Sequence, residues 1–185
     1  MLWDGRAFPR LAGHRARLAA SAARLGWAAP QDLALAARGL AGEARRVRVT
    51  CDRTGALSVE DAPLPPPRPL WRVALHPVRL NSADPWLRLK STRRALYDLA
   101  RAELRPGIDE WLFANERGEM AEGTITSLFF DLGQGMRAVP LTAGCLPGVL
   151  RAELALPEAV LRLEDLPRAR LWVGNALRGL MAAEW

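Results

Sequence analysis

Near residue 45 the apolar residues of this chain stop recurring at helical intervals and begin to alternate, so one fold must join amphipathic helices to antiparallel strands. Ahead of the switch, an opening that reaches Phe8 reads as a short strand. Leu11, Leu18, Ala22 and Leu25 then fall near one face of a helix over 11–25, which Gly26 ends. Pro30-Gln31-Asp32 opens a second helix through Leu33, Leu35 and Leu40 to about Ala44. After the switch, Val47, Val49 and Cys51 alternate with arginines and Thr50, and the turn Asp52-Arg53-Thr54-Gly55 leads into Ala56 to Val59, completing a hairpin. The proline-rich stretch Leu64 to Pro69 is an extended connector, and Trp71 to Leu75 a third strand.

Prolines at 77 and 85 and a lack of periodicity predict a linker over 79–89, separating a smaller lobe at 1–78 from a larger one at 90–185. In the larger lobe, Ser91 or Thr92 can cap a helix running to about Leu104. Trp111 to Ala114 and Met120 to Gly123 read as a hairpin across Asn115-Glu116-Arg117-Gly118-Glu119. Strands follow at Ser127 to Leu132 and Met136 to Val139, a loop at Pro140 to Pro147, a helix from Gly148, and a strand at Leu171 to Val173.

At 185 residues and 50% hydrophobic, the chain can bury a sizeable core. The net charge of +6 invites a nucleic-acid reading, but the arginines are scattered along helical stretches, with no basic run, zinc spacing or nucleic-acid motif. A solvated basic surface accounts for them, and no nucleic-acid partner is expected. The two cysteines, Cys51 and Cys145, suit neither a disulfide framework nor a metal site. The start lacks the long apolar core of a signal peptide, and no stretch is long enough to cross a bilayer, so the expectation is a cytoplasmic protein without a membrane partner.

The basic residues comprise 25 arginines and a single lysine, Lys90. Arginine stays charged, whereas a desolvated lysine amine can lose its proton and attack a carbonyl. Lys90 lies at the expected lobe junction, just before a helix. Farther on, Leu146-Pro147-Gly148-Val149-Leu150 leads into a helix whose first N–H groups lack intrahelical partners and can hold a phosphate. Glu122, ahead of Gly123 at a strand end, could keep a heteroaromatic nitrogen protonated. An amine nucleophile, a carboxylate and a phosphate cup are the parts of a pyridoxal 5'-phosphate site.

These segments resemble the fold-type IV pyridoxal-phosphate enzymes, the class IV aminotransferase family of branched-chain and D-amino-acid aminotransferases and aminodeoxychorismate lyase. Lys90-Ser91-Thr92 resembles the family's lysine segment, Glu119 to Phe129 its glutamate motif, and Pro140-Leu141 through Leu146 to Arg151 its phosphate loop. His14-Arg15-Ala16-Arg17-Leu18 is similar to the segment whose arginine contacts the phosphate. The resemblance implies an α+β or α/β, two-lobed, D-amino-acid aminotransferase-like fold, truncated in its N-terminal lobe because members carry further strands ahead of that helix. It implies that Lys90 carries the cofactor covalently and shuttles protons, that Glu122 pairs with the pyridine nitrogen, and that Leu146 packs on the ring. Arg17, the amides of Val149 and Leu150, and Asn175 would serve the phosphate. Ser127, where the family usually has asparagine, and Arg93, where a smaller polar residue is common, depart from the pattern.

Gly174-Asn175-Ala176-Leu177-Arg178-Gly179-Leu180 looks more like the lyase branch, which implies cleavage of 4-amino-4-deoxychorismate to 4-aminobenzoate and pyruvate, a step of folate biosynthesis. The alternatives are an aminotransferase on branched-chain or D-amino acids and a non-catalytic relative acting as a binding module. A small amino substrate and a homodimer are the implied partners, and Trp3, Arg93 and Arg178 are candidates for reading substrate carboxylates.

Overall fold

The computed structural model describes residues 1–185 and contains two compact units, Met1–Pro67 with Ala176–Arg178, and Arg68–Asn175 with Gly179–Trp185. The chain leaves the first unit at Pro67. The segment expected as a linker, 79–89, instead belongs to the second unit.

In the first unit, β1 (Leu2–Trp3), β2 (Arg45–Cys51) and β3 (Leu57–Pro63) form an antiparallel sheet in that order. Helix α1 spans Leu11–Arg24, one residue short of the sequence expectation. The alternation of β2 sends Val47 inward, where it joins Trp3, Phe8 and Ala36 in a small core, with the Trp3 and Phe8 rings meeting edge to face at 5.3 Å. At the β2–β3 turn the Asp52 carboxylate accepts from the Thr54 amide at 2.8 Å and the Ala56 amide at 3.1 Å. Gly55 adopts φ +83°, and a Cβ there would collide with the Ala29 carbonyl. The expected second helix over 30–44 is only a 3-10 turn, Leu33–Ala37. Asp32 caps it by accepting the Ala34 amide at 3.0 Å, but Arg38 is already extended, and Gly39 and Gly42 take positive φ. Leucine spacing alone did not reveal that stop.

The second unit is built on β4 (Leu70–Leu80), β5 (Glu110–Asn115), β6 (Met120–Gly123), β7 (Ser127–Asp131), β8 (Arg137–Ala138), β9 (Arg170–Asn175) and β10 (Gly179–Glu184). The order β6-β5-β4-β10-β9-β7, with β6 also paired to β7, closes six strands into a barrel, and β8 adds to β7. β4 runs parallel to both neighbours, β5 and β10; the other pairs are antiparallel. β4 is twice as long as its expected core of 71–75, since it continues through Pro77. The pairing with β5 shifts between Leu75 and Arg79, so the proline, which has no N–H to give, sits at an irregularity.

All six residues of β5 are buried, because one side of the strand faces the barrel and the other faces packed chain. Leu112, Phe113, Met120, Leu128 and Val173 anchor this core, and burying one such side chain contributes about 1.5–3 kcal/mol. Helix α2 (Ala95–Ala102) turns Ala100 inward, with Leu96 and Tyr97 partly buried against the same core. Helix α3 (Val149–Leu154) buries Val149 and Leu150 and ends at Ala155, whose φ is +47°.

Candidate active site

Glu122 lies in β6 opposite Phe113 of β5 and Ser127 of β7, and is 7% exposed. Its two oxygens have different donors. The Tyr97 hydroxyl donates to Oε1 at 2.6 Å, and the Leu146 amide donates to Oε2 at 2.9 Å. Burial pushes the Glu122 carboxyl up to about 7, against the opposing pull of these two hydrogen bonds and of the positive charges on Lys90 and Arg94. Burial also pushes the Tyr97 phenol far above its ordinary value, as does the neighbouring Glu122 charge, so the phenol keeps its proton and acts as donor.

Lys90 follows the 3-10 turn Pro85–Arg88 and precedes α2; it is exposed, and its charge reaches Glu122. The segment around it is braced by Arg88, whose guanidinium donates to the Leu141 carbonyl at 3.2 Å, and by Ser91, whose hydroxyl accepts the Arg93 amide at 3.2 Å. The Arg93 guanidinium lies over the Trp86 ring, 4.9 Å from its centroid.

Behind Glu122, the turn from β6 to β7 is wrapped around a second carboxylate, Glu110, which has no exposed surface. Glu110 Oε1 accepts from the Trp111 amide at 3.1 Å, the Thr124 amide at 3.2 Å and the Thr124 hydroxyl; Oε2 accepts from the Ile125 amide at 3.2 Å and the Thr126 hydroxyl at 3.0 Å. Arg101 reaches Oε1 at 3.4 Å from the rim. Burial raises this carboxyl, and the hydroxyls, the Ile125 amide and Arg101 pull it back. The anchored turn then offers its own carbonyls outward. Thr124 O accepts from Arg94 and Ile125 O from the Asn175 amide, each at 3.2 Å. Gly123 has no room for a side chain, since a Cβ would fall on Thr126 Oγ1 and within 2.9 Å of the Glu110 carboxyl carbon.

The loop 140–148 makes the third side. Gly144, at φ +88°, passes so close to Ser82 that a Cβ would sit 2.7 Å from its Cα. Gly148 caps α3 without a side-chain bond to the helix amides, and a Cβ there would come within 2.8 Å of Ser127 Oγ. Gly174 gives way to Leu150, whose Cδ2 would lie 2.7 Å from an added Cβ. Serine in place of the family's usual asparagine at 127 thus packs against the helix start.

The sequence-predicted residues Lys90, Glu122, Leu146, Val149, Leu150 and Asn175 all belong to the second unit. Glu122 is bonded to Leu146 and feels the charge of Lys90, and Asn175 is bonded to the turn that follows Glu122. Arg17 belongs to the first unit, on α1, where it is half-buried and its guanidinium is held below its ordinary range by burial. Tyr97 and Glu110 are the polar residues that sequence reasoning passed over. Tyr97 did carry a clue, being the chain's single tyrosine seven residues after its single lysine. Glu110 carried none, because its partners in the turn lie 14–16 residues away.

The model of the family described as amino-transferase class IV matches residues 1–184. Among solved structures, a candidate amino-acid aminotransferase of Mesorhizobium loti is 42% identical, with a TM-score of 0.91 over 100% of this chain and 96% of that one. The 4-amino-4-deoxychorismate lyase of Pseudomonas aeruginosa is 24% identical, with a TM-score of 0.74 over 100% of this chain and 81% of that one. A candidate branched-chain amino acid aminotransferase of Thermotoga maritima is 20% identical, with a TM-score of 0.78 over 94% and 70%. These last two share the fold. No curated protein matches the chain. The barrel and its helices have the expected fold-type IV architecture, and the chain belongs to the class IV aminotransferase family, whose members are pyridoxal-phosphate-dependent enzymes.

Proposed function

We propose that this chain binds pyridoxal 5'-phosphate at Lys90 and is a lyase that converts 4-amino-4-deoxychorismate to 4-aminobenzoate and pyruvate. The observation that carries the cofactor assignment is the donor set around Glu122. A buried carboxylate with one donor on each oxygen still has lone pairs for a ring N–H, an amine on the neighbouring segment supplies a nucleophile, and an uncapped helix start lies just past Leu146. This chemistry fits the cofactor's aldehyde, ring nitrogen and phosphate.

When bound, the cofactor supplies an electron sink for charge developing on the substrate's amino-bearing carbon. The work of the chain is local. Lys90 Nζ would provide the attachment point and, as an amine beside the site, would move protons. Glu122 keeps the ring nitrogen protonated, Leu146 covers the ring, the amides of Val149 and Leu150 hold the phosphate, and Asn175 steadies the turn behind them. The lyase reading rests on the resemblance of residues 174–180 to that branch. A homodimer is part of the proposal on the same ground.

The 42% identity to a candidate amino-acid aminotransferase favours a second reading, amino transfer to a keto acid. The test begins with added pyridoxal phosphate and borohydride: wild type retains a fixed chromophore, and Lys90→Ala does not. Aminodeoxychorismate is then supplied without any keto acid. Pyruvate release supports the lyase; turnover of amino acids that requires a keto-acid acceptor supports the aminotransferase. Absence of a fixed chromophore in wild type would refute both and leave the binding module.

A further inference from the structure

Tyr97 takes no part in the chemistry assigned above, yet its hydroxyl is one of the two donors that hold the Glu122 carboxylate. We propose that Tyr97 is a positioning residue for Glu122, fixing Oε1 while the Leu146 amide fixes Oε2, so that the carboxylate meets the cofactor's ring nitrogen in one orientation. The inference rests on the pyridoxal-phosphate reading.

The geometry is specific to a phenol at this place. The Tyr97 ring stands edge-on to Phe113 at 5.3 Å and 77°, and Phe113 is the residue paired with Glu122 across β5 and β6. Both ends of the Tyr97–Glu122 bond are therefore referred to one strand pair. Arg94 braces the other side. Its guanidinium lies 5.7 Å from the Tyr97 ring centroid, donates to Asp98 at 2.6 Å, and reaches the Thr124 carbonyl at 3.2 Å.

The groups facing Glu122 are Tyr97 and the cations Lys90 and Arg94 from the segment 90–97, and Cys145 with the Leu146 amide from the loop. The Cys145 thiol, pushed up to about 12 chiefly by burial, stays neutral. Glu122 is the carboxyl of this group, and its own titration is the one that reports the Tyr97 bond. A charge-assisted donor such as the Tyr97 hydroxyl favours its ionised form, the one able to accept a ring N–H.

The experiment follows the Glu122 carboxyl by carbon-13 NMR in cofactor-free protein, with Glu122→Gln identifying the resonance, and measures the dissociation constant for pyridoxal phosphate by absorbance. In Tyr97→Phe, which keeps the ring on Phe113, the Glu122 midpoint moves up by about one pH unit, a factor of ten in the proton equilibrium, and the cofactor dissociation constant rises about tenfold. Because the chain has one tyrosine, biosynthetic replacement by 3,5-difluorotyrosine alters this phenol alone. Its stronger donation moves the midpoint the opposite way, in a protein that retains every wild-type contact. A tyrosine with only a packing role would leave the midpoint where it is. An unmoved midpoint, or a moved midpoint with unchanged cofactor affinity, overturns the inference while the cofactor reading stands. Failure of wild type to bind pyridoxal phosphate removes both.

Discussion

Replacing Glu110 by glutamine tests whether one buried carboxylate holds the turn behind the candidate site. Glutamine matches the shape but has only one acceptor. With its NH2 at the Oε2 position, Thr126 can rotate its hydroxyl to accept, but the Ile125 amide, which donates at 3.2 Å, cannot adapt. In the opposite orientation the NH2 would face the Trp111 amide, the Arg101 guanidinium and the Thr124 amide, which would keep only the Trp111 carbonyl at 3.3 Å, so the first is favoured. One unsatisfied buried amide costs about 1–3 kcal/mol, the weakened contact to Arg101 adds about 1 kcal/mol at most, and relief of a buried charge offsets part of this, leaving about 2–3 kcal/mol. For a chain of this size that lowers the melting temperature by about 5–10 °C. Calorimetry gives the shift, and amide exchange localises it: Thr124 and Ile125 should exchange faster while the β2–β3 hairpin is unchanged. Thr126→Val, which removes a single hydroxyl donor, should lose about 1 kcal/mol. A glutamine variant that melts within about 1 °C of wild type, with unaltered exchange at the turn, would refute the anchoring role.

Three further outcomes are expected. Because Glu122 is raised from 4.5 to about 7 in the fold, its own contribution to the stability of the cofactor-free protein is lost as pH rises from about 4.5 through 7, by roughly 3 kcal/mol, read as the difference between wild type and Glu122→Gln in urea titrations at each pH. His14 shows the opposite dependence. Burial, reinforced by Arg17 and Arg10, lowers it to about 3, and its contribution is lost as pH falls below about 6.5; His14→Leu should flatten that acid limb in the same titrations. Gly123→Ala places a methyl on Thr126 Oγ1 and against the Glu110 carboxyl, so it should cost about 3 kcal/mol or more and lower the yield of folded protein, as judged by circular dichroism.

The hairpin of β5 and β6 was legible because both of its ends are marked: apolar runs stop at the polar, glycine-containing turn 115–119. The segments 119–129 and 140–151 were legible as family motifs, in keeping with the match of the class IV aminotransferase model to residues 1–184. What could not be read was context. Pro77 looked like a linker residue because a proline cannot give a ladder hydrogen bond, and only the register shift against β5 shows how a strand passes through it. The leucines of 33–40 had helical spacing, but Gly39 and Gly42 leave the helix in left-handed backbone. β10 went unpredicted, although its pairing with β4 and β9 helps close the barrel. Tyr97 bonds Glu122, 25 residues on, and Glu110 holds a turn 14–16 residues on, and no local pattern records such bonds.

The barrel is closed between β6 and β7 by a single rung, Glu122 opposite Ser127, with the Gly123 amide bonded to the Thr126 carbonyl at 2.8 Å beyond it; β7 and β9 share five such positions. Opening of that one rung would move the residue proposed to face the cofactor while every longer ladder stays paired. Warmed samples should therefore bleach before they lose their secondary structure, and the storage life of the coloured protein would report how often the ring unzips rather than how firmly the whole chain is folded.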